Sequence, residues 1–395
     1  MAKLDFKIRL ITPAFIGGGD DVPVTGVHTS KGEQTYHRKI DPKSDGLRIP
    51  SLKGVLRFWY RSLYGGIPIA SLKENEDRVW GDAGNYQGMR IIPVNIDNFR
   101  VKSISYNAGE AGAYLGYGPI NYNRVLHNAN SHNPNMYRDA ICEGSVFTFR
   151  GIGTQEQIEA LKESLQMLHY FGGLGSRSRR GFGSVAVEYD GFPPTFPIND
   201  DINNWFNQTV WNPILAREEI ATQLPTYSAF YIDKTIPVNG TRYKFFLGDN
   251  NAQLNNYDDV FKLFHKKFAS VRLWRNSYGI PRPPIAISDH TKEQADSGGA
   301  AITGVPLRIA YGMPYHPASH TNGWDIEYQT SESDIIRRAS PLFLKVLQPT
   351  TNGYIGIALF LRAEFFGTPS VNIKAKGKSG DRPFPGYSAV DDFMS

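Results

Sequence analysis

Two clusters of cations stand out by residue type and spacing. Lys53, Arg57 and Arg61 recur every fourth residue in "IPSLKGVLRFWYRSLYGG", residues 49–66, and at about 100° per residue they form one stripe along a helix. Arg177, Arg179 and Arg180 lie close together in the loop "GGLGSRSRRGFGS", residues 172–184, among Gly172, Gly173, Gly175, Gly181 and Gly183. Guanidinium groups bind phosphate oxygens in pairs, and glycines let a backbone approach a ligand closely. Exposed amides in such a turn would add to an anion site. If the two segments meet, they offer roughly six positive charges to one phosphate backbone. A solvated outer face would also account for the stripe, and a basic, flexible turn for the loop. The loop lacks the Gly-Lys-Ser/Thr ending of a triphosphate site. It follows a helix and precedes a strand, so it is not a dinucleotide fingerprint.

Other chemistry has thinner support. His28 and His37 follow the first strand, His127 and His132 lie in a long insertion, and His316 and His320 in a Pro-rich turn. None stands in the helical HExxH context of a metal site. Asp20 and Asp21 are adjacent carboxylates after a triple glycine. The single cysteine, Cys142, excludes a disulfide framework and a cysteine-ligated cluster. No nucleophile-elbow motif appears. The expectation is no catalytic residue, no metal and no cofactor.

The elements that must position the cations follow from periodicity. "LDFKIRLITPAFIG" alternates and reads as a strand. In the helix that follows, Leu52, Val55, Leu56, Trp59 and Leu63 mark the buried stripe, and Pro50 with Ser51 forms its start, the Ser51 hydroxyl acting as cap. "MRIIPVNI" and "FRVKSISY" are short strands, and "GSVFTFRGI" is another. "TQEQIEALKESLQMLHYFG" is a helix capped by Thr154, with Ile158, Leu161, Leu165 and Leu168 inward. "FGSVAVEY" closes the unit. The order is β-α-β-β-α-β, the ferredoxin-like arrangement that RNA-recognition domains share. In it, the start of the first helix and the loop after the second can lie at one rim.

The insertion at 107–138 mixes Tyr114, Tyr117, Tyr122 and Tyr137 with Arg124 and Arg138, a mixture able to stack bases and hold phosphates. A Pro-, Asp- and Asn-rich linker follows the first unit. The second half offers strands at "TYSAFYI", "RYKFFLG", "VPLRIAYG", "PLFLKVLQ" and "YIGIALFLRAEF", and a helix from about Tyr257 to Arg275. "VRLWRNSYGIP", from Val271, echoes "LRFWYRSLYGGIP", from Leu56, which suggests a second unit of the same kind. The fold class expected is α+β, with two ferredoxin-like domains at 1–190 and 205–395 and a linker at 191–204.

The chain has 395 residues and a formal net charge of +5, a mild tilt toward an anionic partner such as nucleic acid. Its N-terminus lacks an apolar signal-peptide core, and no apolar run is long enough to span a bilayer. A cytoplasmic protein that touches no membrane is expected.

Three segments carry a resemblance: "TPAFIGGGD" with "RIPSLKGVLRFWYRSLYGG", the loop "GGLGSRSRRGFGSV", and "RRASPLFLKV" (Arg337–Val346). Together they resemble the RAMP superfamily of CRISPR-associated proteins, and within it the first RAMP subunits of Cmr (type III-B) effector complexes. The resemblance implies RNA binding inside an RNA-guided complex and no catalytic centre in this subunit. Guide RNA, target single-stranded RNA and other Cmr subunits would be its partners. Ser51, Lys53, Gly54 and Arg57 fall on the family's helix motif, and Gly173, Gly175, Arg179, Gly181 and Gly183 on its loop. Alternatives within the same resemblance are an endoribonuclease using His28 or His37 as general base, and a capping subunit without RNA contact. The insertion and the segment 374–395 have no counterpart in it.

Overall fold

Alternation along the first strand sets the architecture. In β1 (Ala2–Leu10), Leu4, Phe6, Ile8 and Leu10 are buried while Lys3, Asp5 and Lys7 are exposed, so one sheet face packs inward and the other stays polar. The computed structural model describes residues 1–17, 46–84, 87–104, 106, 110–116, 119, 139–194, 196–197, 202–217, 232, 242–271, 340–361 and 388–395, with short strands at 28–29, 32–33, 324–325, 328–329, 335–336, 370–375 and 378–383.

After β1 come α1 (Ile49–Leu63), α2 (Ile69–Trp80), β2 (Arg90–Asp97), β3 (Val146–Gly153), α3 (Gln155–Phe171) and β4 (Val185–Tyr189). The four strands form one antiparallel sheet in the order β2-β3-β1-β4. Its register pairs Phe6 with Phe149 and Ile8 with Val187. This is the ferredoxin-like topology expected from the element order. α3 starts as its sequence dictates. The Thr154 hydroxyl accepts from the Gln157 amide at 3.2 Å, and the Gln157 side chain accepts from the Thr154 amide at 3.0 Å. Ile158, Leu161, Leu165 and Leu168 are its buried face. α2 was not anticipated. Val101–Ser103, expected as a strand, pairs with Asp139–Ile141 in a separate two-stranded ribbon at the roots of the insertion.

The second half contributes β5 (Tyr243–Phe246), α4 (Tyr257–Val271), β6 (Leu342–Thr350), β7 (Gly353–Phe360) and α5 (Ser388–Met394). Its sheet runs β6-β7-β5, all antiparallel. That order repeats β2-β3-β1 of the first sheet. The strands expected at "TYSAFYI" (apart from Ile232) and "VPLRIAYG", the echo beyond Val271, and Asp20, Asp21, His37, His127, His132, His316 and His320 lie outside the described residues, and of His28 only the backbone is described.

β6 joins the two halves. Its Leu342, Leu344 and Val346 belong to the core of the second half, with Phe246, Phe261, Phe264 and Phe393. Phe343 and Leu347, on the opposite face, belong to the core of the first, with Trp59 and Phe171. The near-continuous apolar run "LFLKVL" is thus a strand buried on both faces. From the insertion, the short helix Ala111–Leu115 packs on α4. There the Tyr114 ring stacks on His265 at 4.7 Å rather than standing open to a base.

Candidate nucleic-acid interface

α1 begins at Ile49 with Pro50 in its first turn, where a missing N–H costs nothing. Its N-cap is Arg48, with no side-chain cap bond and no acid in the first turn. Ser51 is therefore not the cap: the helix starts three residues earlier than expected, and the Ser51 side chain is exposed on its first turn. The first-turn amides and the positive end of the helix dipole have no side-chain acceptor. One turn on, a Cβ built at Gly54 meets nothing within 4 Å. Leu52, Leu56, Trp59 and Leu63 are buried, while Val55 is only half-buried.

The Gly-rich loop is more tightly held than its composition suggests. Several of its amides are bonded within the protein. Leu174 donates to Gly183, Ser176 to Phe15, Arg180 to Arg177 and Gly183 to Pro13, all at 2.8–2.9 Å. The Thr12 hydroxyl donates to the Gly181 carbonyl at 2.7 Å and accepts from the Ser184 amide at 2.9 Å. Gly183 must be glycine, since φ is +62° and a Cβ would stand 1.9 Å from the Leu174 carbonyl oxygen. The loop is thus tied to the end of β1. Its Phe182 is fully buried in the second half, 4.8 Å from the Phe261 ring.

Between the start of α1 and this loop lies a cavity of about 250 Å³ lined by Ser51, Gly54, Val55, Phe58, Trp59, Gly172, Gly173, Ser178, Arg179 and Phe343. Its floor is aromatic and its rim carries two hydroxyls and a guanidinium. Arg179 donates to the Ser340 carbonyl at 2.7 Å, and its guanidinium lies 4.4 Å from the Phe343 ring centroid and 5.5 Å from that of Phe58. Ring stacking and a backbone carbonyl fix that cation in the wall. The volume is below that of clefts enclosing a drug-sized ligand. It suits one unit of a chain passing across it.

Of the expected site residues, Ser51, Gly54, Gly173 and Arg179 meet here. Gly175 is exposed at φ +82° against the Phe15 carbonyl, and Arg177 is half-buried at φ +63°. Arg180 turns away, its guanidinium 4.8 Å from the Phe268 ring. Gly181, at φ +90°, lies where a Cβ would stand 2.8 Å from the Phe261 ring.

The basic stripe of α1 faces α2. Arg57 Nε and Arg61 Nη1 reach the same oxygen of Glu76, at 2.5 and 2.6 Å, and Arg57 lies 3.7 Å from Asp77. The Glu76 side chain is only 7 % exposed. Lys53 is half-buried, 3.4 Å from the Met89 carbonyl. Burial, and then the charge of Arg57, lowers its pKa from the usual lysine value.

Residues 7–186, which hold α1, the loop and the whole first sheet, match the model of the RAMP superfamily. Over this stretch the chain is similar to the RAMP superfamily. Over 170 residues, 39% of this chain and 89% of the relative, the sequence is 28% identical to CRISPR system Cmr subunit Cmr1-2 of Pyrococcus furiosus. The crystal structure of apo Cmr1 from Pyrococcus furiosus matches with 18% identity over 93% of this chain and 90% of that one, at a TM-score of 0.45. A chain of the type III-B Cmr-beta complex bound to cognate target RNA matches with 12% identity over 92% and 95%, at a TM-score of 0.46. The fold assignment of this domain stands on its strand order.

Four residues that shape the cavity and its surroundings escaped sequence reasoning: Phe58, Glu76, Phe343 and Lys345. For Glu76 a signal existed, since Leu72, Glu76, Val79 and Trp80 share one face of α2. An acid among three apolar residues on a buried face demands a cation. Phe343 and Lys345 reach the loop from more than 150 residues away, and no local pattern marks them.

Proposed function

We propose that this chain is a non-catalytic RNA-binding subunit of a type III-B CRISPR effector complex, acting in antiviral defence. Its RAMP domain would hold the backbone of a guide or target strand where it crosses the cavity, and the remaining Cmr subunits would be its neighbours. The two domains, 1–190 and 205–395, act together in this reading, because Phe343 from the second completes the cavity of the first. The kinship with the Cmr subunit of Pyrococcus furiosus supports the setting. The observation that carries the RNA reading is the convergence of Ser51, Gly54, Gly173 and Arg179 on one cavity. An uncapped helix start favours an anion, a fixed guanidinium pairs with phosphate, and an aromatic floor takes a sugar or base face. Arg177, Arg180, Gly175 and Gly181 shape or flank the loop. Lys53, Arg57 and Arg61, with Glu76 and Asp77, leave this side of α1 with a net charge of +3 − 2 = +1, in support of the same strand. Among the described residues no helix is long and apolar enough to cross a membrane. The reading places the complex in the cytoplasm.

Gly54 provides the test. A glycine inside a helix costs about 0.5–1 kcal/mol relative to alanine, and here the space beside it is open. Gly54→Ala and Gly54→Glu should both fold. A carboxylate about 4 Å from a phosphate repels it by roughly 1–4 kcal/mol. Fluorescence anisotropy with a short single-stranded RNA should then show Gly54→Glu binding at least about fivefold more weakly than Gly54→Ala. Equal affinities would remove the strand from the cavity.

A further inference from the structure

The side chain of Lys345 is the one polar group on the inward face of β6, and it is 1% exposed. Its Nζ donates to three carbonyls: Leu168 at 3.0 Å, Gly172 at 2.5 Å and Val185 at 2.7 Å. An ammonium has three N–H donors and no acceptor, so three carbonyls satisfy it completely. Two of them sit at the C-terminal end of α3, where the helix dipole also favours a cation. Gly172 is the residue at which the Gly-rich loop leaves α3, and Val185 is the residue at which it enters β4. Lys345 therefore holds both stems of the loop.

Its neighbours on β6 hold the rest. The Leu344 amide donates to the Arg179 carbonyl at 3.1 Å, and the Val346 amide to the Ser184 hydroxyl at 3.0 Å. Phe343 lies under the Arg179 guanidinium. Four consecutive residues of the second half, Phe343 to Val346, thus fix the loop at its two roots, at its arginine and at its return. Gly172 and Phe343 themselves line the cavity.

We infer that Lys345 is a positioning residue for the RNA site, setting the shape of the Gly-rich loop and the place of Arg179 without touching the strand. The inference rests on the RNA reading above. It separates affinity from charge counting in a measurable way. A residue that contacts phosphate contributes about one unit to the slope of log affinity against log salt. A residue that only shapes the site changes the affinity and lowers that slope by no more than the contacts it positions, here the one of Arg179.

The experiment is RNA binding by the full chain, Lys345→Met against wild type, by anisotropy from low to moderate salt and well below the melting temperature. Lys345→Met should bind on the order of tenfold more weakly, the lower end of what lost outer supports cost a binding site, with a salt slope reduced by no more than about one. Native far-UV circular dichroism with unchanged affinity would overturn the inference. If Lys345→Met does not fold, Lys345→Gln keeps two N–H donors for the carbonyls and is read in the same way. Wild-type protein that binds no RNA would sink the functional reading instead. Wild type that binds, with Gly54→Glu impaired and Lys345→Met intact, would sink this inference alone.

Discussion

Removing Arg57 and Arg61 together should destabilise the fold, because the acid they serve cannot reach water. Glu76 keeps 7% of its side chain exposed, and both guanidinium groups converge on one of its oxygens at 2.5 and 2.6 Å. Arg57→Ala with Arg61→Ala leaves a buried carboxylate without a cation, a change that costs about 3–5 kcal/mol when a buried pair is broken from one side. The arginine side chains are 32% and 38% exposed, so water can partly follow the loss and the lower end, about 3 kcal/mol, applies. At roughly 2–4 °C per kcal/mol for a domain of this size, the melting temperature should fall by about 6–12 °C. Arg61→Ala alone should cost less, because Arg57 stays in place.

The decisive comparison adds Glu76→Gln. Neutralising the acid removes the reason for the loss, so the triple variant should recover most of the melting temperature measured by circular dichroism. The reasoning fails if Arg57→Ala/Arg61→Ala melts within about 2 °C of wild type, or if Glu76→Gln restores nothing. The triple variant also allows a clean binding measurement, since it changes the local charge only from +1 to zero. With stability restored, RNA affinity close to wild type would mean that the two arginines serve the fold. A clear loss with a shallower salt slope would mean that they also meet phosphate.

Two further outcomes are expected. His169 is fully buried and accepts the Val187 amide at 3.0 Å, and burial, with the nearby Lys345 charge, lowers its pKa to about 3. The unfolded state then binds more protons between about pH 6.5 and 3, so stability falls as the pH drops through that window, by at most about 1.4 kcal/mol per pH unit from this group. Urea unfolding from pH 7 to 4 should show a shallower acid loss in His169→Gln than in wild type, and parallel curves would refute the assignment. Single-stranded RNA incubated with the protein should stay intact with or without Mg²⁺ on a denaturing gel, and a discrete product that vanishes in His28→Ala or His37→Ala would establish cleavage instead.

The first sheet was legible because its information is local. Alternation in β1, the Thr154 capping box and the apolar stripe of α3 each fit within one element, and their order selects the ferredoxin-like topology. β6 and β7 were equally readable as apolar runs. α2 was not, because "LKENEDR" is charged around most of its circumference. A helix that buries only Leu72, Glu76, Val79 and Trp80 gives a weak periodic signal. The same miss hid the partner of the basic stripe, since the acid that pairs with Arg57 and Arg61 lies on that helix. A stripe without acids in its own segment is not thereby free to bind a ligand.

At the site, topology was the useful guide and composition the weaker one. The rim where α1 begins and the loop after α3 ends follows from element order alone, and Ser51, Gly54, Gly173 and Arg179 do meet there. Composition suggested that five glycines and three arginines make an open, flexible anion cradle. The structure uses the glycines differently. They let the loop fold back on Phe15, Pro13 and Leu174 and carry Phe182 into the second core. Positive φ is needed for close packing against protein as much as for approach to a ligand, and sequence does not distinguish the two. What separates them is the partner strand β6, whose Leu344, Lys345 and Val346 bind the loop across more than 150 residues. The cavity is therefore a property of both halves of the chain, and a reading of residues 1–190 alone sees the arginine but not the strand that aims it.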